Sequence, residues 1–144
     1  MPFSKLTETM WVAPQLTVAD VARAAEMGVK CIINNRPDGE SDDQPAGADL
    51  AAAAHASGIN YAAIPVSHAG FSAPQVEAMR AVLDKEAGPI LGFCRSGTRS
   101  SFLWALAEAG AGKDVAKLRE QAAAAGYDLS PIAAMLDMLA GGRA

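Results

Sequence analysis

Three short apolar runs punctuate this chain, at residues 29–34, 59–65 and 90–93, and each is followed by a polar loop and a helix-like pattern. The runs are continuously apolar instead of alternating, so as strands they need cover on both faces. Helix patterns supply it. Thr17 is placed to cap the first, with Asp20 in its opening turn and Gly28 at its end. Its expected buried stripe runs through Val18, Val21, Ala22, Ala25 and Met27. A second, alanine-rich helix covers 47–57. A third opens on Ser72-Ala73-Pro74-Gln75, a capping-box pattern with proline in the first turn, and runs to about Glu86. Further helices are expected over 100–109, with Phe102, Leu103, Leu106 and Ala109 facing the core, over 114–125, and from Ser130-Pro131 onward. A short strand is expected at 11–13. The alternation implies an α/β fold: a mainly parallel central sheet of four to five strands flanked by helices. Ligands of such sheets sit beyond the carboxyl ends of the strands. Loops 36–45, 66–71 and 94–99 are therefore expected to converge on one pocket.

At 144 residues the chain suits one domain spanning 1–144. Its net charge of −4 removes the usual reason to expect nucleic acid or an anionic membrane as partner. No apolar run reaches the roughly 18 residues that cross a bilayer. The first five residues lack the apolar core of a signal peptide, so a cytoplasmic location is the expectation. No cofactor and no metal are expected. The apolar residues Met135, Leu136, Met138 and Leu139 can pack within the fold or against a second copy, which leaves a homodimer open.

The two cysteines read differently. Cys31 lies within an apolar strand pattern, where cysteine acts as a small hydrophobe. Cys94 sits between the strand 90–93 and a helix start, in Gly92-Phe93-Cys94-Arg95-Ser96-Gly97-Thr98-Arg99-Ser100. A helix N-terminus and nearby cations favour the thiolate, the reactive form of the side chain. Gly97 is free to take a positive φ, and a short loop of inward N–H groups forms an anion nest. Arg95, Ser96, Gly97, Thr98, Arg99 and Ser100 are the expected oxyanion-binding set. Within it, Arg99 supplies a planar fork for two oxygens of a tetrahedral anion. Cys94 is the candidate nucleophile.

Strand, cysteine, glycine-containing turn, arginine and helix in this order resemble the cysteine-dependent phosphatase superfamily. The chain is similar, from Leu6 to about Gly126, to the phosphatase-like domain of beta-lactamase hydrolase-like proteins. The carrying stretches are Cys31-Ile32-Ile33-Asn34-Asn35-Arg36-Pro37-Asp38-Gly39-Glu40 and the cysteine loop. The resemblance implies a cysteine phosphatase-like fold and a phosphocysteine formed at Cys94. One departure stands out: Arg95, Ser96, Gly97 and Thr98 make four residues between Cys94 and Arg99, where the superfamily signature has five. Counting five would put the uncharged Ser100 in the arginine position. In its length and wording, the loop resembles that of single-domain rhodanese sulfurtransferases, whose cysteine carries a transferable sulfur as a persulfide.

Phosphatases of this kind use an aspartate to protonate the leaving oxygen, and the equivalent loop 65–71 here has no carboxylate. His68 on that loop is the candidate acid, since histidine donates a proton near neutrality. Asp38 is the second candidate, with Glu40 available if its loop crosses the pocket and Asp42 or Asp43 behind it. Arg36, at a strand end, is the candidate for substrate binding, its alternative being a pair with one of the acids. Phe71, Tyr61 and Trp104 are the aromatics expected to frame the pocket, and His55 receives no role. Three functions follow: a phosphatase-like hydrolase of a phosphate ester, a sulfurtransferase fed by a sulfane sulfur donor, or a non-catalytic oxyanion-binding module. Each has a small anionic substrate or ligand as its partner.

Overall fold

The computed structural model describes residues 3–67 and 69–141. Five strands, β1 (Ser4–Lys5), β2 (Met10–Ala13), β3 (Cys31–Asn34), β4 (Asn60–Ala63) and β5 (Ile90–Phe93), form one sheet in the order β1-β2-β5-β3-β4. The pairs β2–β5, β5–β3 and β3–β4 are parallel, and only β1 runs antiparallel. The α/β architecture read from the alternation is the one observed.

Helices α1 (Val18–Glu26) and α2 (Gly47–Ala56) cover one face. On the other lie α3 (Ala73–Lys85), α4 (Thr98–Gly110), α5 (Val115–Ala124) and α6 (Ala133–Gly141), the last preceded by a 3₁₀ turn at Ser130–Ile132. Strand residues alternate between two apolar cores, as the pleat requires. Met10, Val12, Cys31, Ile33 and Ile90 face α3 to α6, whereas Trp11, Ala13, Ile32, Leu91 and Phe93 face α1 and α2. Gly92 faces α4. A Cβ there would stand 3.1 Å from the Met10 methyl and 3.4 Å from the Ser100 Cβ, so glycine lets α4 lie close to the sheet.

Both capping patterns form. The Thr17 hydroxyl accepts the Asp20 N–H at 3.2 Å while the Asp20 carboxylate accepts the Thr17 N–H at 2.9 Å. Gln75 accepts the Ser72 N–H at 2.8 Å and donates to the Pro65 carbonyl at 2.9 Å, tying α3 to the loop after β4.

Four expectations need correction. Strand β4 is not buried on both faces: it is the sheet's edge, and Asn60 and Ala63 are exposed. Helix α4 has no single core side. It packs against β5, α3, α5 and α6, so Leu103, Trp104, Ala105, Leu106, Ala107 and Ala109 are all buried while Phe102 is only partly so. Helix α1 buries Val21 and Ala24, leaving Val18 and Met27, at its two ends, exposed. Trp104 belongs to the core and frames no pocket. At the chain's end, Leu136 is fully buried as α6 packs on α4, and Met138 is exposed.

Candidate active site

Strand β5 delivers Cys94 into a loop closed by the first turn of α4, and the side chain is 1% exposed. Gly97 caps α4 with φ +90°, a left-handed conformation that favours glycine. This backbone turns the Gly97 N–H inward, where it donates to the Cys94 Sγ at 3.1 Å. The Gly97 carbonyl accepts from both the N–H and the hydroxyl of Ser101, at 3.0 and 2.9 Å. The loop is thus anchored to α4 behind its glycine. In front, the Arg95 carbonyl accepts the Gln15 N–H at 3.3 Å and the Ser96 carbonyl accepts the Tyr127 hydroxyl at 3.1 Å.

Asn35 is the scaffold beneath. It is buried at the end of β3, between β5 and β4. Its N–H donates to the Phe93 carbonyl, its side-chain amide to the Ile64 carbonyl, and its carbonyl accepts the Val66 N–H, each at 2.9 Å. Its side-chain oxygen accepts the Ser100 hydroxyl at 2.8 Å. Ser100 is fully buried, and its hydroxyl is engaged by Asn35.

The three loops at the strand ends do converge, and Arg99 is where they meet. Its Nη1 donates to Glu40 Oε2 at 2.7 Å and to the Val66 carbonyl at 2.6 Å, and its Nη2 donates to Glu40 Oε1 at 2.8 Å. This end-on pairing uses the two terminal nitrogens of the fork. The Cys94 sulfur is within reach of the same guanidinium. The Glu40 hydrogen bonds first, and then the charge on Cys94, raise the Arg99 pKa against the opposing effect of burial.

Glu40 lies between two cations. Arg36 Nε donates to its Oε1 at 2.9 Å. The Arg99 hydrogen bonds, with those of Arg36 behind them, overcome desolvation and hold the carboxyl at a pKa of about 2. Glu40 is a carboxylate at any working pH and has no proton to give. Arg36 is no free substrate ligand either. It is 5% exposed, with Nη1 on Gln15 and Nη2 on Ser41 at 3.0 and 3.2 Å.

Asp38 is engaged at the start of α2. Its carboxylate accepts the Gly47 N–H at 2.9 Å, where an acceptor satisfies an otherwise orphaned donor at the start of α2. The turn chemistry of Arg36-Pro37-Asp38-Gly39 carries it there. Asp43 accepts from the Ser41 hydroxyl at 2.7 Å on the exposed side of the same loop. His68 lies outside the described residues. Arg95 is exposed and, with Gln15, Arg36, Ser41, Asp43 and Gln44, lines a polar cleft of about 240 Å³ beside the loop. Among the aromatics, Tyr61 accepts from the Asn34 amide at 2.9 Å and Phe71 packs against Phe102. The aromatic side chain that does meet the cysteine loop is Tyr127. Cys31 is core: burial first, then Glu86, push its thiol up to about 12.

Sequence reasoning missed Asn35, Gln15 and Tyr127. Two asparagines closing an apolar strand were a signal for the first. Nothing local marks the other two. Among the described residues, no group of three or more His, Cys, Asp or Glu could hold a metal ion, and no helix is long and apolar enough to cross a membrane.

The family model of the phosphatase-like domain of beta-lactamase hydrolase-like proteins matches residues 2–111. The chain belongs to that family. Over 105 residues the domain is 35% identical to the beta-lactamase hydrolase-like protein of Agrobacterium fabrum, a match covering 73% of this chain and 24% of that protein. This phosphatase-like chain thus spans about a quarter of the length of that curated relative. A proposed phosphatase of Neisseria meningitidis has a similar structure, with a TM-score of 0.84 at 35% identity, covering 96% of this chain and 99% of that one. The active form of Tk-PTP superposes with a TM-score of 0.69 at 14% identity, over 99% of this chain and 98% of its own, and shares the fold.

Proposed function

We propose that this domain is a cysteine-thiolate phosphatase acting on a small phosphate ester. The single observation that carries the reading is the inward Gly97 N–H on the Cys94 sulfur, 3.1 Å away, with Arg99, two residues on, held by Glu40. In the first step the Cys94 thiolate attacks phosphorus. An S–P bond forms as the ester P–O bond breaks, and the electron pair leaves on the ester oxygen. Loop N–H groups and the Arg99 guanidinium take the phosphoryl oxygens, where negative charge develops. Water then attacks the phosphocysteine, releasing phosphate and the thiolate.

The leaving oxygen needs a proton. Glu40 is ionised and Asp38 is bonded to α2, so neither supplies it. His68 is the proposed donor, because its loop begins at Val66, whose carbonyl is bonded to Arg99.

The carboxyl chemistry favours one second reading. A sulfurtransferase needs no acid to expel an alkoxide: Cys94 would attack a sulfane sulfur, forming a persulfide as the donor's thiol or sulfite leaves with the electron pair. Assaying an aryl phosphate alongside thiosulfate and glutathione persulfide, with Cys94→Ser as control, separates the two. The phosphatase reading expects phosphate release that vanishes in the variant. Sulfur transfer without phosphate release, or phosphate release that survives Cys94→Ser, overturns it.

A further inference from the structure

The Ser96 carbonyl and the Gly97 N–H belong to one planar peptide unit and point to its opposite sides. The inner end, the Gly97 N–H, is bonded to Cys94 Sγ at 3.1 Å. The outer end, the Ser96 carbonyl, accepts the Tyr127 hydroxyl, also at 3.1 Å. One peptide plane is therefore pinned from inside by the sulfur and from outside by a phenol. The pin matters because of the residue that follows. Gly97 stands at φ +90°, and glycine takes negative φ about as readily. The freedom that lets this N–H point inward also permits the peptide to rotate. Rotated, it would aim a carbonyl oxygen at the thiolate and at any anion in the loop.

We propose that Tyr127 is a positioning residue of the site, whose hydroxyl latches the Ser96–Gly97 peptide with its N–H facing Cys94. Tyr127 follows α5, beyond the segment that the family model matches. It is held in place by its own N–H on the Ala122 carbonyl at 2.8 Å and by packing of its ring against the larger core. Contact with Gly97 is close: a Cβ there would collide with the phenol oxygen. Burial, and then the charge on Cys94, raise the phenol's pKa, which keeps it protonated as a donor. Nothing in the latch depends on whether Cys94 attacks phosphorus or sulfur; it rests only on Cys94 working as a thiolate.

Tyr127→Phe removes one oxygen atom and keeps the ring packed against the core. Three measurements on the full chain read the result: the backbone amide resonance of Gly97, the affinity for tungstate, and the rate of Cys94 carboxamidomethylation by iodoacetamide at neutral pH. With the melting temperature unchanged, the latch predicts a shifted or doubled Gly97 resonance. It also predicts about tenfold weaker tungstate binding, the scale of one hydrogen bond to a charged group, and slower alkylation. A Gly97 resonance and a tungstate affinity that both match the wild type overturn the proposal. Wild-type protein that neither binds tungstate nor reacts with iodoacetamide overturns the thiolate reading instead, while the Gly97 resonance still decides the latch.

Discussion

Glu40 and Arg99, 59 residues apart in the chain, meet end-on, with both carboxylate oxygens on both terminal guanidinium nitrogens at 2.7 and 2.8 Å. The pair fixes the guanidinium plane beside Cys94, and Arg36 fixes Glu40 in turn.

Glu40→Gln is expected to lower kcat/KM by about ten- to a hundredfold through misplacement of the Arg99 fork, with the larger part in kcat. Steady-state kinetics on an aryl phosphate checks it. A variant with wild-type kinetics would mean that the Val66 carbonyl alone orients Arg99.

The same pair makes stability depend on acid. The folded Glu40 pKa, about 2, lies below its ordinary 4.5. The stabilisation is therefore complete above 4.5 and is lost as pH falls toward 2. Urea midpoints at pH 7 and pH 3 are expected to differ less in Glu40→Gln than in the wild type. The difference is expected to be small, because Glu40 lies in an exposed stretch of loop where solvent screens the pair.

Arg99→Lys keeps the charge and loses the fork. One ammonium cannot hold Glu40 end-on and take a phosphoryl oxygen as well, so kcat/KM is expected to fall about a hundredfold. Tungstate affinity should fall with it, measured by calorimetry.

Asn35→Ala removes the partner of the Ile64 carbonyl and of the Ser100 hydroxyl in a buried setting. A loss of about 1–3 kcal/mol in urea denaturation is expected. Asn35→Asp should not rescue it, since a carboxylate cannot donate to the Ile64 carbonyl.

Asp38→Ala tests the acid assignment directly. Loss of the Gly47 cap is expected to cost about 1 kcal/mol of stability. The pH profile of kcat should be unchanged, and loss of its acid-dependent limb would restore Asp38 as a proton donor.

What was legible in the sequence was what is local. The capping boxes at Thr17 and Ser72 pair residues three apart, and the order of β5, Cys94 loop and α4 lies within one continuous stretch. Continuous apolar runs were enough for a covered parallel sheet, although not for the half-exposed edge position of β4.

The α/β alternation, the caps and the cysteine loop each follow from neighbours along the chain. Which side chains stand around Cys94 depends on how distant segments pack together. Strand order puts β3 between β5 and β4, and so brings Asn35, Glu40 and Val66 to one place. Packing of the segment after α5 brings Tyr127 to Ser96, 31 residues away. Composition and periodicity carry no record of such pairings: strand order and helix docking are chosen by the burial of the whole core, and no single segment encodes them.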